Sequence, residues 1–234
     1  MENFLNIFLL GDVPNDLVSF TFFIGTMAMM AASVFFFLSL DAGGGKWRTS
    51  MLVSGLITFI AAVHYYYMRD ANVAGADTTF FRYVDWILTV PLMCVEFYLI
   101  LAKAGATKKL MWNLIFLSTL MLVFGYIGET GDQPVLFGTL SGLAYFIMVY
   151  MLWLGEAKAL AMKAGVAVLD AHNALCWFVL VGWSIYPIGY MIGTDGWYDF
   201  VDAIPLDMDV VYNIGDAINK IGFGLVIYNL AVSK

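Results

Sequence analysis

The chain is poor in charge. Of its 234 residues only 12% are Asp, Glu, Lys or Arg, while 62% are hydrophobic. Ordinary globular domains carry about 25% charged and about 45–50% apolar residues. A chain with so little charge lacks the polar surface of a soluble domain, and its natural solvent is a bilayer. Cysteine is scarce too. Cys94 and Cys176 both lie in apolar runs, with no second Cys or His read at metal-ligand spacing, so buried free thiols are expected. No basic run or basic–aromatic stripe suggests nucleic acid. The N-terminus has neither a positive n-region nor a small-residue cleavage site, so MENFLNIFLLGDVPNDL reads as a short leader outside the first span. The net charge of −7 describes the loops and carries no partner preference.

What is present are long apolar runs. Bilayer spans need about 20 mostly apolar residues, and the candidates are about 17–40, 50–69, 80–103, 109–128, 134–156, 171–193 and 207–233. Gly, Pro or charge breaks the chain between them, as in DAGGGKWR, RDANVAGADTT, GATKK, GETGDQP, EAKALAMKAG and GTDGWYDFVDAIPLD. The expected fold is an all-α seven-transmembrane-helix bundle forming one domain over residues 1–234, without repeats or linkers. Lys46, Arg48, Lys103, Lys108, Lys109, Lys158, Lys163 and Lys234 fall on one side. Only Arg69 stands on the other, beside Asp70, Asp77, Glu129, Asp132, Asp195, Asp199 and Asp202. Positive residues favour the cytoplasm, which predicts an outside N-terminus and a cytoplasmic C-terminus.

Within the predicted spans remain His64, Arg82, Asp85, Glu96, Asp216 and Lys220. A charge near the bilayer centre costs several kcal/mol unless paired or hydrated, so each is a functional candidate. The competing reading, an ion-pair cluster that merely ties helices together, suits one pair better than six groups on three helices. Asp85 and Glu96 are 11 residues apart, which places them within about 20° of one azimuth and roughly 16 Å apart along a helix. In the predicted orientation Asp85 lies nearer the outside and Glu96 nearer the cytoplasm. Asp216 and Lys220 are i, i+4 neighbours, and His64 lies in the outer half. A buried free Lys would ordinarily lose its proton. Its other common fate is a Schiff base with a carbonyl cofactor. Trp86 and the Trp183, Tyr186 and Tyr190 of WSIYPIGY suit a long conjugated ligand, although an aromatic stripe alone more often means packing.

RYVDWILTVPL, MLVFGYIGE, WSIYPIGY and GDAINKIGFGL, on four helices in order, carry a resemblance to the microbial (type 1) rhodopsins of the proteorhodopsin and xanthorhodopsin group. The resemblance spans essentially the whole chain. It implies a multi-pass protein of a prokaryotic inner cell membrane, with all-trans retinal on Lys220 as a protonated Schiff base. It also implies Trp86 and Trp183 sandwiching the polyene, and Tyr186, Tyr190, Met93 and Met121 lining the pocket. By the same resemblance Asp85 is the primary counterion and proton acceptor, Asp216 the second counterion and His64 the histidine partner of the acceptor. Glu96 is the cytoplasmic proton donor, protonated until needed, and Arg82 shares the counterion charge. The implied activity is a light-driven outward proton pump, a transporter and not an enzyme, in a homo-oligomer of five or six copies.

Asp85, Thr89 and Glu96 fit proton pumping. A chloride pump is expected to lack the acid at position 85. A sodium pump of this family is expected to carry Asn near 82 and Gln near 93, where this chain has Arg82 and Met93. Sensory photoreception through a signalling partner is the alternative, and a donor carboxyl such as Glu96 argues against it. A retinal-free secondary transporter is disfavoured by the absence of inverted repeats. An apolar residue at 93 goes with green absorption in proteorhodopsins. Gly138 sits where a xanthorhodopsin-like pump opens a lateral window for an antenna carotenoid, a hydroxylated xanthophyll. Against that, Gly138 and Gly142 form a G-x-x-x-G pair of the kind used for close helix packing. His172 is expected at a water-facing helix start, and the acids from Asp195 to Asp209 in a solvated outer loop.

Overall fold

The computed structural model describes residues 16–192, 194 and 207–233. Residues 1–15 of the expected leader, Asp195, Asp199, Asp202 and Lys234 lie outside the described residues. Among the described residues every regular element is helical, and seven helices are long and apolar enough to cross a membrane. They are α1 (Leu17–Leu38), α2 (Arg48–Val73), α3 (Thr79–Ala104), α4 (Lys108–Thr130), α5 (Pro134–Lys163), α6 (Val166–Ile192) and α7 (Met208–Val232).

Helix starts follow side-chain capping. Asp16 accepts from the Ser19 amide at 2.7 Å at the head of α1, and this backbone bond holds its carboxyl below the usual carboxylate range. Thr107 caps α4 through the Leu110 amide, and Asp207 caps α7 through the amides of Asp209 and Val210. Gly105 and Gly165 end α3 and precede α6 with φ of 103° and 99°, values that glycine adopts without a Cβ clash. The helices pack in sequence order, and α7 closes the ring against α1, α2 and α6. The outer surface is apolar, with Leu38, Phe146, Trp177 and Ile218 all more than half exposed. The polar residues turn inward, where Asp85, Thr89 and Glu96 are fully buried. This inverted arrangement suits a lipid solvent.

Three boundaries differ from the sequence reading. α2 continues to Val73, so Arg69 lies within it and is buried, not in a loop. α5 continues past a break at Leu154 and Gly155, whose amides both turn back to the Tyr150 carbonyl. The segment EAKALAMKAG, expected as a loop, is mostly the last piece of α5, Glu156–Lys163, because Ala157, Leu160 and Ala161 bury one face of it. α6 accordingly starts at Val166 and carries His172 inside the bundle. Farther on, α6 changes from α-helix (Val166–Trp177) to a π-helical segment (Phe178–Gly182) before resuming at Ile185–Ile192.

Candidate functional site

The centre of the bundle holds one lysine between two carboxylates. The Lys220 ammonium donates to Asp85 Oδ2 from α3 and to Asp216 Oδ2 one turn earlier on α7. All three side chains are buried. The i, i+4 spacing on α7 places Asp216 beside Lys220, and α3 supplies Asp85 from across the bundle. Tyr186 donates its hydroxyl to the other Asp216 oxygen at 2.9 Å. The Thr89 hydroxyl donates to the Asp85 backbone carbonyl at 2.9 Å, locking that turn of α3.

His64 approaches without closing. Its Nδ1 stands 3.8 Å from Asp85 Oδ1, beyond hydrogen-bond range, and 2.9 Å from the Ile60 carbonyl, to which it donates. Arg82 is turned away from the lysine centre. Its guanidinium donates to Asp209 at 2.7 Å and lies 4.9 Å over the Tyr212 ring. Among the described residues Arg82 makes no direct ion pair with Asp85 or Asp216. Asp209, expected in a solvated loop, stands in the first turn of α7. Its pairing with Arg82 spans 127 residues, and no local pattern signals it.

Glu96 is apart from this centre. It is fully buried, accepts from the Ser54 hydroxyl of α2 at 3.1 Å, and leaves its Oε2 without a hydrogen-bond partner among the described residues. Its separation from Asp85 along α3 is roughly 16 Å. His172 proves to be fully buried, not water-facing. Its Nε2 lies 3.0 Å from the Leu152 carbonyl near the α5 break and 3.4 Å from Cys176 Sγ. The sequence reading passed over this His–Cys pair at i, i+4, and both cysteines are buried and free as expected. Among the described residues no group of three metal-ligating side chains assembles.

Beside the lysine centre lies a cavity of about 470 Å³ between α3, α4, α5, α6 and α7. Trp86, Met121, Trp183, Tyr186, Tyr190 and Gly138 line it. Thr89 and Met93 are not among its walls; both are buried in the core along α3. Trp86 sits edge-on to Tyr186 with ring centroids 4.7 Å apart, and the Tyr190 hydroxyl donates to the Pro134 carbonyl at 2.6 Å. Tyr186 belongs both to the cavity wall and to Asp216, so cavity and ion centre share a side chain. A second, polar cavity of about 290 Å³ surrounds Arg82, Asp77, Glu129 and Asp209 at the α2–α3 end of the bundle. The Tyr83 hydroxyl donates to Glu129 at 2.7 Å.

A seven-helix membrane protein holding one lysine amine between two carboxylates, beside an aromatic-lined cavity, is the class that fold and site define. The chain belongs to the bacteriorhodopsin-like family, whose model matches residues 16–234. It is 43% identical over 229 residues to a green-light absorbing proteorhodopsin of Gamma-proteobacterium EBAC31A08, covering 96% of this chain and 90% of that one. To a blue-light absorbing proteorhodopsin of Gamma-proteobacterium Hot 75m4 it is 44% identical over 232 residues, with the same coverage. Among solved structures it is similar to xanthorhodopsin, described as a light-driven ion pump with dual chromophore. The TM-score is 0.78 and the identity 32%, covering 92% of each chain.

Proposed function

We propose that this chain is a light-driven outward proton pump with retinal on Lys220, its N-terminus outside and residues 1–234 forming one retinal-binding domain. The observation that carries the reading is Lys220 held between Asp85 and Asp216 while a separate buried carboxyl, Glu96, waits farther along α3. The residues fit retinal. A primary amine is available at Lys220, and the adjoining cavity has the volume and aromatic lining of a small-molecule site. Retinal supplies light absorption and a change of shape that alters the proton affinity and direction of the lysine nitrogen. The protein does the rest. Asp85 and Asp216 fix that nitrogen and its proton, and Asp85 accepts the proton on the side of His64 and Arg82. Glu96 returns a proton from the opposite side, where Lys46, Arg48, Lys103, Lys108, Lys109, Lys158 and Lys163 in and beside the helix ends favour the cytoplasm.

Two finer assignments extend the reading. Met93 is the apolar side chain that goes with green absorption. The relatives support green and blue about equally, so Met93 carries this assignment. Gly138 is read as a lateral window for a hydroxylated carotenoid. It lines the cavity, and a Cβ at Gly142, its partner in the G-x-x-x-G pair, would meet nothing within 4 Å, which speaks against close helix packing at Gly142. The lining also includes Phe146 and Ile188, 64% and 45% exposed on the lipid-facing surface, so the cavity reaches that surface.

Expression with and without all-trans retinal, followed by illumination of a cell suspension, tests the proposal. A visible band that requires retinal and Lys220, with acidification abolished by a protonophore, is the expected result. A pigment that forms in Lys220→Ala would sink the assignment of the lysine. A pigment without acidification would favour the sensory photoreceptor instead.

A further inference from the structure

His172 is a buried titratable side chain that the proposed cycle leaves unused. It is fully buried on α6. The Leu152 carbonyl can only accept, so Nε2, the ring nitrogen 3.0 Å from it, carries the hydrogen. That bond has a local cause. At the break in α5 the amides of Leu154 and Gly155 both turn back to Tyr150, and the Leu152 carbonyl finds its donor on α6.

With Nε2 protonated, the neutral ring keeps Nδ1 as a bare acceptor. Nδ1 has no hydrogen-bond partner among the described residues. An indole would satisfy a carbonyl without leaving an acceptor open, as Trp153 Nε1 does for the Cys176 carbonyl at 3.3 Å. A buried acceptor left open is costly, and the backbone bond to Leu152 does not account for it.

The position of Glu96 does. α3 ends at Ala104 and α6 begins at Val166, at the same end of the bundle. Glu96 stands eight residues from the end of α3, and His172 six from the start of α6. At about 1.5 Å per residue they lie about 12 Å and about 9 Å from that end. Phe97, next to Glu96, meets the His172 ring edge-on with ring centroids 5.6 Å apart. Glu96 Oε2 and His172 Nδ1 are thus two buried, unpartnered polar atoms in neighbouring layers, with the histidine the nearer to water. Asp170, two residues before His172, is exposed.

We infer that His172 is the proton relay that reloads Glu96 from the cytoplasmic side. Nδ1 takes a proton from entering water and gives that same proton to the Glu96 carboxylate, while Nε2–H stays on the Leu152 carbonyl. The ring ends as it began, and one proton has reached Glu96. The inference rests on the proposed pump, with Glu96 as its donor.

The test uses the full-length, retinal-loaded protein in lipid vesicles after a single flash. The infrared carboxyl band of Glu96 reports when it gives up its proton and when it regains one, and a pH dye reports uptake from the medium. His172→Gln keeps an amide donor for Leu152, and His172→Phe keeps an aromatic ring, but neither binds a proton. Both variants are expected to release the Glu96 proton at the parental rate. Recapture should slow by about 10²-fold in both, the usual contribution of a positioned acid or base. A small permeant weak acid should restore it. If one variant forms no pigment, the other carries the test.

Parental recapture in either variant overturns the inference. So does faster recapture in His172→Gln with slower recapture in His172→Phe, which would mean that the ring only sets hydration. Loss of pigment in both, or a slow recapture that the weak acid fails to restore, would make His172 a packing residue and overturns it too. A parent that forms no pigment, or one whose Glu96 band never changes, overturns the pump reading itself.

Discussion

The Ser54 hydroxyl donates to Glu96 across the α2–α3 contact at 3.1 Å, joining residues 42 positions apart. The other Glu96 oxygen has no partner among the described residues. In the proposed pump this buried acid would hold and deliver a proton. In Glu96→Gln the pigment is expected to form and Asp85 to accept its proton at the parental rate. Return of the proton should slow by about 10²-fold, the usual contribution of a positioned acid. Flash spectroscopy with a pH dye separates the two steps, and a small permeant weak acid should restore the slow one. Unchanged recovery would remove Glu96 from the donor role.

Asp85 and Asp216 each give one oxygen to Lys220 but differ in their other bonds. Asp216 is also held by Tyr186, whereas Asp85 Oδ1 has no hydrogen-bond partner among the described residues. The freer carboxylate is the better acceptor. Asp85→Asn should abolish acidification and move the visible band to longer wavelength, because one counter-charge beside the cation is gone. Asp216→Asn should impair pigment formation more, since it also weakens the Tyr186 hydrogen bond from a charged acceptor to a neutral one. Retinal reconstitution yields and light-driven pH changes compare the two. The reverse ranking would exchange their roles.

The glycines of α5 and α7 should respond oppositely to one methyl group. A Cβ at Gly224 would lie 2.3 Å from the ring of the fully buried Phe36, at the α1–α7 contact. Gly224→Ala should lower stability by about 1–3 kcal/mol through overpacking. Gly142→Ala meets open space and should be neutral or stabilising by up to about 1 kcal/mol, as helical glycine gives way to alanine. Thermal bleaching of the two variants provides the comparison.

Filling the window tests the antenna reading. Adding hydroxylated carotenoids to the purified pigment should produce a structured absorption band. That band should disappear in Gly138→Trp while the retinal band persists. Failure of every carotenoid to bind the parent would end the proposal.

Much of this arrangement was legible because lipid leaves so few places for charge. Lys220, Asp216, Asp85 and Glu96 stood out as ionisable residues inside apolar runs, and helical spacing alone put Asp216 one turn from Lys220. The sequence reading was weaker where chemistry and burial part company. EAKALAMKAG has the charges of a loop, yet its alanines and Leu160 bury a helical face. His172 was misplaced for the same reason, since its span starts earlier than the hydropathy suggests. The pair Arg82–Asp209 joins distant helices and leaves no periodic signal. The π-helical segment has none either, because its residues are as apolar as those of a regular span.

The commitment of Arg82 to Asp209 has an electrical consequence. With that guanidinium neutralised elsewhere, the lysine centre sets one cation against two anions. It carries a surplus of one negative charge whenever both acids are ionised and His64 is neutral. Moving a proton from the lysine nitrogen to Asp85 leaves this total unchanged. What it alters is the direction of the local field, from one pointing between α3 and α7 to one concentrated on Asp216. In the proposed pump the centre would act as a charge-conserving dipole that flips, rearranging charge inside the bundle without changing its total.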